Sequence, residues 1–198
     1  MTNYIAVEDL KKSLELTGTT NVDRDIERAI PAASAAIDEM CARKFGKDDS
    51  AVARYFNART ATICLIDDVP DQTVTLAVDR AGNYSYSESW TEGTDYIFEP
   101  MNAPADGKPY ESVRSIAQGF PMHTGAVKVT ARFGWDAVPA QVIEACALLA
   151  NKLIVRIRQA PFGIVSAGID SGAVMRIART DPDVVALLEP FMRNEPFA

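Results

Sequence analysis

The amino-acid sequence predicts an α+β protein: a helical core with an inserted antiparallel β module and an extended C-terminal arm. Helical spacing of apolar residues fills the first 45 positions, and an alternating period of two begins near residue 52. A long apolar helix follows residue 136, and a glycine-punctuated tail follows the helix. We therefore predict one domain over residues 1–158, with helices in 1–50 and 136–158 around a β module in 51–135, and an arm with a short helix in 159–198.

Two helices are predicted before the β module. In the first, apolar residues recur at helical spacing from Val7 to Leu14. In the second, the same spacing runs from Ile26 to Met40. Pro31 lies inside this second pattern and removes one backbone donor, so we expect a kink or a restart of the helix there. The segment Ala32–Ala36 is rich in small residues, which permits another helix to approach closely.

Six or seven short strands are predicted in the β module, because short alternating segments are separated by turn-forming residues. One of them, Val127–Phe133, places four apolar side chains on one face and Lys128, Thr130 and Arg132 on the other. The remaining candidates are Arg54–Asn57, Thr62–Ile66, Thr73–Val78, Tyr84–Ser87, Asp95–Glu99 and Ser112–Ile116.

The helix that follows the β module is unusually apolar. Between Val142 and Ile157 its polar residues are Glu144, Asn151, Lys152 and Arg156. A surface helix needs an apolar stripe only about 100° wide, so this helix must be covered on two sides, and the second cover would come from a neighbouring subunit. Together with Ala32–Ala36, the predicted subunit-interface residues are Ile143, Ala147, Ala150, Ile154 and Ile157.

The tail is predicted to be an arm that becomes ordered when it docks on a partner. Three glycines punctuate a weakly periodic segment, and Asp181-Pro182-Asp183 then begins a short helix, because Asp caps helix N-termini and Pro suits the first helical position. Pro190 should disturb the last turn of this helix. The predicted docking residues are Pro161, Phe162, Leu188, Phe191, Met192, Arg193 and Phe197.

Composition excludes several classes of function. The 198 residues carry a net charge of −7 with a pI of about 4.8, which argues against a basic surface for binding nucleic acid. The three cysteines are scattered and are predicted to be buried, reduced thiols. There is no apolar signal core, and no run approaches the roughly 18 apolar residues of a membrane span. We therefore expect a soluble cytosolic product without a membrane partner.

No catalytic, metal-binding or cofactor-binding residues are predicted, and no enzymatic activity. His123 has no nucleophile or carboxylate partner suggested by spacing. Asp67-Asp68 could suggest a metal site, but a solvated strand end with turn-forming side chains is the favoured interpretation. Lys152, Arg156 and Arg158 could contact phosphate, although basic residues in a last helical turn are also explained by the helix dipole.

Several segments follow one another in an order that spans most of the chain. They are Tyr4–Leu16, Ile26–Phe45, Asp95-Tyr96 with Glu99–Pro104, Phe133–Pro139 before the apolar helix, Ala160–Gly163, and Asp181–Phe191. None is a catalytic motif, and each alone is weak. Their shared order resembles that of the head-tail connector (adaptor) proteins of tailed bacteriophages.

The resemblance implies a structural virion protein that forms a homo-oligomeric ring of twelve subunits in the phage neck. Such a ring joins the portal protein to the next neck or tail component, a stopper or tail-completion protein, and is assembled in the host cytoplasm. Double-stranded DNA would pass through its channel without specific binding. An acidic chain suits that role, because each Lys or Arg contact with phosphate adds affinity that would hinder sliding.

Two other functions are weighed against this one. Another neck ring, such as a stopper or tail-completion protein, would use the same interface physics with different neighbours. A small ligand-binding or enzymatic domain would need a pocket in the β module, lined by aromatic residues. Aromatic residues on short strands more often pack in a core, and no acid–base pair accompanies them. The candidate lining residues are Tyr55, Tyr84, Tyr86, Trp90 and Tyr96.

Overall fold

A computed structural model of the chain describes residues 2–15, 23–159, 174, 176, 178–179 and 181–193. These residues form helices and two antiparallel sheets, which confirms the α+β prediction. The helices are α1 (Val7–Ser13), α2 (Asp23–Cys41), α3 (Ala140–Gln159) and α4 (Pro182–Leu188), and a 3₁₀ turn, Glu189–Phe191, follows α4. The chain folds into two compact units, a helical unit within residues 1–46 and 138–194 and a β unit within residues 47–137.

In the helical unit, α2 packs against α1 and α3. One face of α2 is buried along its whole length, from Ile26 to Cys41. The helix continues without interruption through Pro31, so the predicted restart does not occur. A proline removes one backbone hydrogen bond, whereas burial of a continuous apolar face stabilises every turn of the helix.

The breadth of the apolar surface of α3 is explained largely within the chain. Helix α3 packs against both α2 and α4, and residues such as Leu149 and Leu153 between these contacts are buried. The sequence indicated correctly that α3 needs cover on two sides. It did not show that α4 supplies the second cover, since that depends on how the tail folds back.

Helix α4 begins as predicted. The Asp181 carboxylate caps the helix by accepting a hydrogen bond of 3.1 Å from the backbone N–H of Asp183, and Pro182 is the first helical residue. At Glu189 the α-helix gives way to a 3₁₀ turn that contains Pro190, which confirms that this proline disturbs the last turn.

The β unit contains seven strands. They are β1 (Val52–Phe56), β2 (Ile63–Val69), β3 (Thr75–Val78), β4 (Glu88–Trp90), β5 (Tyr96–Glu99), β6 (Tyr110–Ser115) and β7 (Val127–Ala131). One sheet has the order β1-β7-β3-β4, the other has the order β2-β6-β5, and every pairing is antiparallel. A core of apolar residues from these strands fills the β unit.

The faces of β7 agree with the alternating pattern. Val127, Val129 and Ala131 are buried in the core, whereas Lys128 and Thr130 lie on the other, half-exposed face.

The predicted strand Tyr84–Ser87 is wrong, however, and the strand of this region is β4 instead. The reason is the backbone, since Tyr84 and Tyr86 have φ angles of 59° and 47°, which a strand cannot contain.

Candidate functional site

The predicted interface residues of α3 do not share one surface. Ile143 is 37% exposed and Ala147 is half-buried, but Ala150 and Ile154 are buried inside the helical unit. The side chain of Ile157 lies outside the described residues. The prediction that Ala150 and Ile154 lie in a subunit interface is therefore corrected, because the packing of α2 and α4 against α3 covers more of the helix surface than the sequence pattern showed.

An apolar strip nevertheless remains on the open face of α3. It consists of Ile143, Ala147, Leu148 and Val155, which we call the α3 ridge, and Val155 is 42% exposed. Ile143, Ala147 and Val155 follow one another at spacings of four and eight positions, and so lie on one side of the helix. From its first to its last residue the ridge extends about 18 Å, at about 1.5 Å per residue. Exposed Glu144 lies beside it.

The alanine-rich segment of α2 makes a close contact inside the chain. Ala33 and Ala36 are buried, and the Ser34 hydroxyl lies 3.6 Å from the Cys146 thiol of α3. The prediction that small residues permit a close helix approach is confirmed. The structure locates that approach at α3 of the same chain.

The predicted docking residues of the tail divide into three groups. Leu188 and Phe191 are buried, and the Phe191 ring meets the Phe45 ring edge-on at 5.8 Å. Met192 and Arg193 are half-buried, and the Arg193 N–H donates a backbone hydrogen bond to Cys41. Pro161, Phe162 and Phe197 lie outside the described residues. Leu188 and Phe191 are thus anchored in their own helical unit, since a seven-residue helix needs an apolar partner and α3 provides one.

An ion pair also connects α4 with α3. The buried Asp181 carboxylate accepts a hydrogen bond from Lys152, in addition to the one from its own helix. Burial opposes the charge of this carboxylate, but the Lys152 ammonium and the backbone N–H groups of α4 outweigh burial and lower its pKa below the usual range. Lys152 therefore has a structural partner, which weakens its candidacy for phosphate contact.

The two neighbouring carboxylates of β2 have separate roles. Asp68 is buried and accepts a hydrogen bond of 2.9 Å from the indole Nε1 of Trp135. Asp67 accepts from Arg54 at 2.7 Å, and the same guanidinium donates to Asp48 at 2.7 Å and lies 4.0 Å from the centre of the Phe133 ring. The expected solvated strand end is therefore wrong, because both carboxylates lie within β2 and are bonded to side chains distant in sequence.

An exposed aromatic cluster occupies the surface of the β unit. Tyr55 is 57% exposed and Tyr84 is 61% exposed, and the Tyr86 ring lies 5.3 Å from the Tyr55 ring. Met122 is 61% exposed, and the Lys128 ammonium lies 5.8 Å from the centre of the Tyr86 ring. We call the group of Tyr55, Tyr84, Tyr86 and Lys128 the tyrosine platform.

The loop that carries Tyr84 and Tyr86 of the platform is held in place by the buried carboxylate of Asp79. Asp79 accepts hydrogen bonds from the backbone N–H groups of Gly82 at 3.0 Å and Tyr84 at 2.7 Å. Burial disfavours the charged carboxylate, but these backbone donors and the His123 side chain outweigh it and lower the pKa of Asp79. The Tyr86 hydroxyl donates to the Gly125 carbonyl at 2.7 Å, which joins this loop to the next one. The exposed rings are thus held on a fixed backbone.

His123 does have a carboxylate neighbour, contrary to the expectation from spacing. Its Nε2 lies 3.2 Å from Oδ2 of Asp79, and the Tyr84 ring and the imidazole form a T-shaped contact with ring centres 6.4 Å apart. The two residues are 44 positions apart in the chain, so spacing could not reveal the pair. Their contacts hold the platform loop, and this role is structural.

The aromatic residues proposed to line a pocket do not lie together. Trp90 and Tyr96 are in the core of the β unit, whereas Tyr55 and Tyr84 are at its surface.

Within the part of the chain that the structure describes, no group of three or more His, Cys, Asp or Glu side chains could hold a metal ion. No helix among the described residues is long and apolar enough to cross a membrane.

The three thiols are free and buried, as predicted. Burial raises the pKa of the Cys41 and Cys64 thiols to about 12 and also raises the pKa of the Cys146 thiol. A thiol with so high a pKa is not a nucleophile at neutral pH.

No protein-family model matches the chain. No curated protein matches it either. Among solved structures, the chain is similar to a chain from the neck of an empty GTA particle, computed with C6 symmetry. The two share 20% sequence identity with a TM-score of 0.57, and the similarity covers 98% of this chain and 91% of the other. At this identity the similarity shows that the two chains share a fold.

Proposed function

We propose that this chain is a structural protein of a phage-type neck, where it forms a homo-oligomeric ring between the portal protein and the next neck or tail component. The observation that carries the proposal is the similarity in fold to a chain from a particle neck, which extends over nearly the whole of both chains. The order of sequence segments that resembles head-tail connectors supports it independently. The protein would act through its surfaces in the virion, after assembly in the host cytoplasm, and would not be an enzyme.

A ring of twelve subunits is the proposed stoichiometry. The neck that contains the similar chain was computed with C6 symmetry, and a ring of twelve is compatible with six-fold symmetry because it consists of six equivalent pairs. Each subunit would contact its neighbours through the α3 ridge, whose Ile143 and Val155 side chains are exposed in the single chain. The tail, residues 159–198, would contact the portal protein through residues other than those that α4 buries against α3.

The distribution of charge supports a channel through which DNA slides. Residues 47–137 and 195–198 contain 8 basic and 14 acidic residues, a net charge of −6, whereas the rest of the chain has a net charge of −1. Cationic side chains bind phosphate and release counterions, which holds DNA in place. An acidic β unit would instead leave the duplex free to move along the channel.

Electron cryomicroscopy of the intact particles tests the proposal. Density for this chain in a ring directly beneath the portal would support it, and counting the subunits would test the number twelve. Density in a ring farther from the portal would show a stopper or tail-completion protein instead. Particles with complete necks that lack the chain would contradict a neck function altogether.

A further inference from the structure

A closed ring places two demands on the surface of each subunit. In a ring of more than two copies, neighbours meet head to tail, so each copy presents one patch on one side and a different, complementary patch on the other. The described surface has two different apolar patches, one in each unit. They are the α3 ridge of the helical unit and the tyrosine platform of the β unit.

Each patch includes or adjoins a charge that has no ion-pair partner among the described residues. Beside the ridge this charge is the exposed carboxylate of Glu144, the only acidic residue of α3. In the platform it is the ammonium of Lys128, whose described contact is with the face of the Tyr86 ring. Glu144 and Lys128 therefore give the two patches opposite charges at these positions, and exposed Arg156 lies next to Val155 at the other end of the ridge.

The charges also argue against pairing of like patches. A two-fold contact between two α3 ridges would bring two Glu144 carboxylates near one another, and a contact between two platforms would do the same with two Lys128 ammonium groups. Like charges opposed in an interface are unfavourable. A ridge on a platform instead opposes a carboxylate to an ammonium.

Two tyrosines of the platform have strained backbone conformations, as is typical of functional sites. Tyr84 and Tyr86 both adopt left-handed backbone conformations, with φ of 59° and 47°, which bulky residues adopt at a cost of about 1 kcal/mol or more each. The hydrogen bonds to Asp79 and from the Tyr86 hydroxyl to Gly125 stabilise this conformation, and Tyr84 remains exposed in it. Rigid, exposed tyrosines are typical of binding surfaces, because little side-chain entropy is lost when they are covered.

We propose that the tyrosine platform of one copy of this chain receives the α3 ridge of the next copy, with Lys128 of the first paired with Glu144 of the second. This inference rests on the proposed function, because it assigns the two faces of the subunit contact in the ring. It identifies the occupant of the platform as a second copy of the chain.

Exchange of the two charges tests the proposal in assembled particles. Particles are produced with one of four forms of the chain: the wild type, Glu144→Lys, Lys128→Glu, or the double variant with both changes. Each single change opposes like charges, and we expect it to reduce the amount of chain in purified particles at least about tenfold, the effect of 1.4 kcal/mol on binding. The double variant restores opposite charges at every contact and should return to within about threefold of the wild type by the same relation.

Two reversals of exposed charges outside both patches, Glu27→Lys and Lys108→Glu, provide matched controls and should assemble normally. Circular dichroism checks that each variant folds. If a reversal does not fold, Glu144→Gln and Lys128→Gln remove each charge with little change in shape and should still weaken assembly. Single variants that assemble like the wild type, or a double variant no better than the single ones, would overturn the pairing.

The outcomes also separate this inference from the proposed function. Wild-type chain present in the neck together with unaffected single variants would overturn only the contact between ridge and platform. Absence of the wild-type chain from complete necks would overturn the neck function, and the contact with it.

Discussion

The carboxylate of Asp68 in β2 accepts a hydrogen bond of 2.9 Å from the indole N–H of Trp135, 67 residues later in the chain. Both side chains are buried, and the backbone carbonyl of Asp68 also accepts a hydrogen bond from the N–H of Gly134 at 2.8 Å. These bonds attach the segment that follows β7 to β2. They give the Phe-Gly-Trp sequence after the last strand a structural role.

Removal of the indole donor should destabilise the protein. In Trp135→Phe the buried Asp68 carboxylate loses a hydrogen bond, which we expect to cost about 1–3 kcal/mol of the free energy of unfolding. Urea denaturation followed by circular dichroism measures the loss. Asp49→Asn, at an exposed position, is the control and should have almost no effect. A Trp135→Phe variant as stable as the wild type would show that the bond contributes nothing net.

The buried carboxylate of Asp79 should make stability depend on pH in the acidic range. Its pKa is lower in the folded chain than the value of about 3.9 expected when unfolded. Its stabilising contribution is therefore present above that unfolded value, and is lost as the pH falls through the folded pKa. Asp79→Asn should be less stable than the wild type at pH 5, and the difference should narrow toward pH 3.

Urea unfolding at a series of pH values measures this difference. Asp106→Asn, in an exposed turn of the same unit, is the matched control and should follow the wild type throughout. A constant gap between Asp79→Asn and the wild type over the whole range would mean that ionisation of Asp79 does not stabilise the fold.

Helix α4 should be part of the stable helical unit of the free chain. Leu188 is fully buried, so Leu188→Ala should cost about 2–5 kcal/mol through lost burial and the cavity left behind. Denaturation of the free protein measures this cost. The neighbouring half-buried Leu187 gives the control, and Leu187→Ala should cost clearly less. Equal, small effects of both changes would indicate that α4 is ordered only on a partner.

Duplex DNA should bind the free protein weakly. The net charge of −7 disfavours contact with phosphate, so we expect a dissociation constant weaker than about 1 μM at physiological salt. A gel shift with unrelated duplex sequences measures the affinity, and a known basic DNA-binding protein gives the positive control. Sub-micromolar binding would contradict a channel through which DNA slides passively.

The elements with strong local patterns were predictable from the sequence. The alternation from Val127 to Phe133 predicted β7 and its buried face, and Asp181-Pro182-Asp183 predicted the start of α4. Such patterns depend on residues within a few positions of one another, whose side chains share a strand face or a helix end. The α+β class followed from the same kind of evidence.

The candidate surfaces were only partly predictable. The sequence indicated that α3 has surplus apolar surface, but not that α4 covers Ile154 and leaves Ile143 and Val155 exposed. It gave no sign that Tyr84 and Tyr86 stand in left-handed conformations in place of a strand. The left-handed backbone is stabilised by Asp79, which acts from outside the alternating segment.

The sequence by itself thus determined the long helices and most of the strands and which of their faces are apolar, because those properties arise between near neighbours in the chain. Only the tertiary structure decided which apolar faces meet and which charges are neutralised. Asp68 with Trp135 and Asp79 with His123 are pairs separated by 67 and 44 residues. Contacts over such separations form only when the whole unit folds, since the loss of chain entropy on closing long loops is offset by burial across the entire core.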